Sequence, residues 1–110
     1  MAKTNPGITR SSGNVFADLG LPHAEEKQTQ VRLAVAINQA IKDRRLSQAS
    51  AAHLLEINQP KISALANYRL DGFSVERLMR FLNALGRDVE IIVHRRPKSR
   101  KTGRILVTAA

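Results

Sequence analysis

The run Asn58-Gln59-Pro60-Lys61-Ile62-Ser63-Ala64 gathers the side chains best suited to reading another molecule. A glutamine carboxamide donates and accepts at once, so Gln59 can pair bidentately with the major-groove edge of adenine. Lys61 and Ser63 suit phosphate oxygens or base edges, and Ala64 offers a methyl contact to thymine. Asn58 and Pro60 stand beside them, while Asn67 and Arg69 follow where a loop would meet a phosphate backbone. The plain alternative is that Gln59 and Lys61 are only the solvated start of a helix.

Covalent and metal chemistry find little support. With no Cys there is no disulfide, no thiolate nucleophile and no Cys-based zinc site. His23, His53 and His94 are far apart and lack ligand spacing, so no metal or cofactor is expected. Neither a Ser-His-Asp arrangement nor a Gly-rich phosphate loop followed by Lys is readable, so the chain reads as a binding protein rather than an enzyme. Lys and Arg number 18 against 9 Asp and Glu, and the net charge of +9 favours a polyanionic partner, nucleic acid above all. A merely soluble basic protein is the bland counterpart. Only 4% of residues are aromatic, which argues against a stacking platform for single strands. No apolar leader or long apolar run is present, and position 2 is Ala, so the expected location is the cytoplasm.

The elements that must position these residues follow from periodicity and caps. At 110 residues with 43% apolar content, the chain fits one domain with tails and a core of Leu, Ile, Val and Ala. Residues 1–14 read as a flexible arm, 15–94 as the domain and 95–110 as a basic tail. Val15, Phe16, Leu19 and Leu21 form an apolar cluster expected to dock on the domain or on a partner. A first helix is predicted over residues 24–45, with Glu25 and Glu26 at its start and Lys42, Arg44 and Arg45 at its end. Val31, Ala34, Ile37 and Ile41 give it one apolar face, widened by Leu33, Ala36 and Ala40.

Ser47 can cap a second helix over residues 48–55, and Asn58 a third that runs to about residue 67. Pro60 is tolerated in that helix's first turn, where its missing N–H is no loss. Ser74 can cap a fourth, with Phe73 and Leu78 as a hydrophobic staple and Gly86 at the left-handed exit. Val75, Leu78, Phe81, Leu82 and Leu85 form the buried stripe, leaving Arg77, Arg80 and Arg87 to solvent. Residues 89–94 then read as a strand, which cannot stand alone. Val89, Ile91 and Val93 are expected to pair between two subunits, or else with residues 105–107 in a hairpin. The intervening Arg95, Arg96, Lys98, Arg100, Lys101 and Arg104 form either a disordered solubilising tail or added non-specific affinity for DNA.

Residues 47–67 therefore read as a helix-turn-helix, in which a first helix braces a second across DNA. Ala51 and Ala52 are small where the helices must cross, and Leu55, Ile57, Ile62 and Leu65 anchor the turn. The pattern Leu46-x-Gln48-x3-Ala52-x2-Leu55-x-Ile57-x4-Ile62-Ser63-x-Leu65 resembles the Cro/C1-type (XRE) helix-turn-helix family. It is most similar to the subgroup with Gln-Pro-Lys at the start of the recognition helix, which includes HigA-like antitoxins. That subgroup also shows the sequences found here at residues 13–20, 73–78 and 85–91, so the resemblance covers about residues 13–93. It implies a mainly α, lambda-repressor-like bundle of four to five helices with a C-terminal strand paired across a homodimer. It also implies a repressor of its own operon, a partner RelE/HigB-like ribonuclease toxin, and a phosphate-clamping role for Gln48. One departure stands out: Glu56 occupies a turn position that usually holds Gly, so it must accept a positive φ or the turn must shift. Two readings follow. The chain is a dimeric, sequence-specific binder of operator DNA, or it is chiefly an inhibitor that grips a toxin through residues 15–21. A non-specific RNA or chromatin binder ranks below both.

Overall fold

The computed structural model describes residues 24–109, in which four helices form the frame: α1 (Ala24–Asp43), α2 (Gln48–Leu55), α3 (Gln59–Ala66) and α4 (Val75–Ala84). The arm at 1–14, the apolar cluster at 15–21 and His23 lie outside the described residues. Each cap read from the sequence is made. Ser47 Oγ accepts from Ser50 N–H at 3.0 Å, Asn58 Oδ1 from Lys61 N–H at 2.9 Å and Ser74 Oγ from Arg77 N–H at 3.1 Å. Each satisfies a helix-end donor that has no partner within the helix.

All four helices end in the same way. A residue in the left-handed region turns the chain, and the next N–H reaches back to a carbonyl five residues earlier. The turning residues are Arg45, Glu56, Tyr68 and Gly86, with φ of 55°, 59°, 60° and 83°. The closing bonds are Leu46 to Ile41 at 3.1 Å, Ile57 to Ala52 at 3.0 Å, Arg69 to Ala64 at 2.8 Å and Arg87 to Leu82 at 2.9 Å. Three of the four positions carry a Cβ that this conformation disfavours.

The core gathers Leu33, Ala34, Ile37 and Ala40 of α1 with Leu78, Phe81, Leu82 and Leu85 at α4, and the helix-turn-helix anchors close it from below. Val31, expected on the buried face of α1, is 43% exposed instead. At about 100° per residue, Val31 stands roughly 120° from the centre of the stripe that packing selects around Ile37. Helices α1 and α4 run in the same direction. Gln30 Nε2 donates to Phe73 O at 2.7 Å near their starts, and Arg87 meets Asp43 at 3.1 Å near their ends. Arg77 is not the solvated side chain its spacing suggests. Its guanidinium lies 5.6 Å and 5.5 Å from the ring centres of Phe73 and Phe81, which themselves meet edge-to-face.

The expected strand at 89–94 is replaced by irregular chain, and no strand occurs among the described residues. Val89 and Val107 turn onto the core instead of facing each other in a ladder. The N–H of Ile105 donates to Glu25 Oε2 at 2.9 Å, a bond to α1 that a hairpin would need for itself. The intrachain hairpin is thus not formed, and Ile91, Ile92 and Val93 are left exposed.

Candidate nucleic-acid interface

Helices α2 and α3 are joined by the three residues Glu56, Ile57 and Asn58. Ala51 and Ala52 are buried where the two helices cross, and small side chains let the backbones approach closely. Leu55, Ile62 and Leu65 are buried around them, and Ile57 is half-buried against the core. Together they hold α3 in one orientation. Its carboxyl end is also fastened from outside the motif, because Asn38 of α1 donates its amide to Leu65 O at 3.2 Å. That role escapes a reading by periodicity; the only signal is a polar residue set beside Ile37 and Ile41.

With Ile62 and Leu65 inward, helical spacing groups Pro60, Ser63, Ala64 and Asn67 at i, i+3, i+4 and i+7 on the other side of α3. Gln59 and Lys61 flank that group on the first turn, and both are exposed. Pro60 and Asn67 are exposed as well, whereas Ser63 and Ala64 are half-buried, and Ala64 packs partly against the core. The amide of Asn67 donates to Ser63 O at 2.8 Å, so one of its donors is engaged within the helix. Asn58 likewise commits its carbonyl oxygen to the cap. Gln48 is exposed at the first position of α2, and Arg69 is exposed just beyond α3.

Electrostatics separate these two helices from the others. Helices α1 and α4 begin with Glu25, Glu26 and Glu76, which answer the positive end of the helix dipole. Helices α2 and α3 have no acidic residue in their first turns. Their uncapped N–H groups and partial positive charge are left for an external anion such as phosphate. Lys42, Arg44 and Arg45 are exposed immediately before α2 and add cations on the approach to its start. Their position at the end of α1 explains them equally well from sequence, which is why they escape notice there. Glu56, exposed at the tip of the turn, is the opposing charge.

No helix among the described residues is long and apolar enough to cross a membrane. Residues 15–94 match a family described as a helix-turn-helix domain. A solved structure named as an XRE family transcriptional regulator is 62% identical in sequence, with a TM-score of 0.76. The match covers 81% of this chain and 100% of that one. Among curated proteins, none matches.

Proposed function

This chain belongs to the XRE-type helix-turn-helix family of DNA-binding regulators, and we propose that within it the protein is a dimeric, sequence-specific repressor that presents Gln59 and Lys61 to an operator. The observation that carries the reading is the pairing of a rigidly seated α3 with two helix starts free of acidic residues. Gln59 supplies the base contact and Lys61 a phosphate or base contact. Ser63, Ala64, Asn58 and Pro60 complete the surface in the groove. Gln48, Asn67 and Arg69 hold the backbone on either side.

The dimer is supported by the exposed Ile91 and Val93, apolar side chains that pairing with a second copy would cover, with Val89 seated on the core at the start of the segment. The antitoxin role is supported by the likeness of residues 13–20, 73–78 and 85–91 to antitoxins of this subgroup. In it, residues 15–21 contact a RelE/HigB-like toxin, and the same protein silences the operon that encodes both.

Selection of bound duplexes from a random pool tests the core of the proposal. Gln59→Ala should cost about 1–3 kcal/mol and relax preference at one base pair. Lys61→Ala should weaken binding and flatten the salt slope by about one. A native chain that recovers no preferred sequence overturns the repressor reading. For the antitoxin role, the product of the adjacent reading frame should bind the full chain and lose that binding when residues 1–22 are removed.

A further inference from the structure

Six cationic residues, Arg95, Arg96, Lys98, Arg100, Lys101 and Arg104, fall within one loop that contains no acidic residue, in a chain whose net charge is +9. All but Arg100 are exposed, and Arg100 is half-buried. This segment is not a loose end. Both of its apolar flanks rest on the domain through Val89 and Val107. Its return is held by Ile105 N–H on Glu25 and by Arg32 Nη1 on Val107 O at 3.5 Å. Its tip is folded by Arg100 N–H on Pro97 O at 3.2 Å, and the Arg96 guanidinium donates to the carbonyls of Pro97 and Arg100. The cations are therefore offered from a fixed base.

The return of the loop rests on a particular part of α1. Glu25 and Arg32 belong to the amino-terminal half of α1, whereas Gln48 and the helix-turn-helix begin just beyond its carboxyl end. A helix of 20 residues is about 30 Å long. Glu25 and Arg32 stand 18 and 11 residues before Asp43, so along α1 the loop's return is set off from the start of the helix-turn-helix by about 17–27 Å. No Phe, Tyr or Trp occurs from residue 88 onward, so the loop has no surface on which unpaired bases could stack. Its chemistry is that of point charges for a phosphate backbone.

We propose that the 95–104 loop is a second, sequence-independent phosphate-binding site for duplex DNA, which grips the backbone outside the contacts of the recognition helix and lengthens the footprint. This rests on the DNA-binding reading above and adds to it a contact that the recognition helix cannot make.

The test compares one selected site in a duplex of about 20 base pairs with the same site flanked to about 45, using the full native chain across a salt series. The native chain should bind the longer duplex at least about tenfold more tightly at low salt, with a slope steeper by about three to five. A variant with all six cations changed to Gln should bind both duplexes alike and keep its sequence preference. A second variant, Lys98→Gln with Lys101→Gln and Arg104→Gln, retains Arg96 and Arg100 at the folded tip. It should lose about half of the added slope, consistent with charge counting. Native chain that shows sequence preference but no gain from the longer duplex overturns the second site and leaves the repressor reading standing. Loss of all preference in the native chain strikes that reading instead. Variants that keep the gain on duplex DNA but lose binding to a single-stranded polyuridine probe also overturn the proposal, in favour of an RNA site.

Discussion

The helix-turn-helix and the C-terminal arm are stretches of similar length with contrasting solutions to the same problem. In the first, every helix end is closed locally, by Ser47 and Asn58 at the starts and by Glu56 and Tyr68 at the exits. Its anchors Leu55, Ile62 and Leu65 are buried, and Leu54 and Ile57 are half-buried against the core. In the arm, Ile91, Ile92, Val93, Ile105 and Leu106 are exposed, and only Val89 and Val107 reach the core. A helix satisfies its backbone within its own sequence, whereas a strand must borrow a partner. The head is therefore complete in one chain and the arm is not.

Four substitutions probe that contrast, and the largest effect belongs to the head. Leu65 is fully buried, and Leu65→Ala should cost about 2–5 kcal/mol in urea unfolding. An effect below that range would mean that α3 is held less by the core than by its tether to Asn38. Next, Asn58→Ala removes the cap of the recognition helix and should cost about 1 kcal/mol of stability. DNA affinity should fall with it, since the start of α3 frays.

Glu56→Gly should move the other way. Left-handed backbone costs a non-glycine residue about 1–2 kcal/mol, and glycine's greater unfolded freedom returns part of that, so a gain of about 0.5–1 kcal/mol is expected. The same change removes a carboxylate from the turn, and duplex binding should tighten most at low salt. A destabilised variant would show that Glu56 makes a compensating contact. The smallest effect belongs to the arm. Ile92 is 63% exposed, so Ile92→Ala should change unfolding of the dilute monomer by less than about 0.5 kcal/mol. A larger loss that grows with protein concentration in sedimentation and thermal unfolding would show that a second copy covers this residue.

Much of the frame is legible in the chain because caps and periodicity act over three or four residues. Ser47, Asn58 and Ser74 mark three helix starts, and Gly86 marks one exit. Glu56 is marked in advance as a position that must accept a positive φ or shift the turn, and it takes the first course. Arg45 and Tyr68 take the same conformation without any such mark, because side-chain type alone does not distinguish them from ordinary helix-end residues. Val31 is misplaced by periodicity because a helix with apolar residues around much of its circumference has more than one possible inward face. Arg77 is misplaced because its charge alone assigned it to solvent, although Phe73 and Phe81 lie four residues to either side and share its side of the helix.

By itself, then, the amino-acid sequence determined the four helices, the tight turn between α2 and α3, the family likeness and the excess of positive charge. These depend on neighbours a few residues away or on composition. The tertiary structure alone decided which face of α1 is buried, that Asn38 secures the end of α3, and that residues 105–107 return to α1 instead of pairing with 89–93. Those outcomes join residues tens of positions apart, and they are set by which surfaces can be brought together in three dimensions.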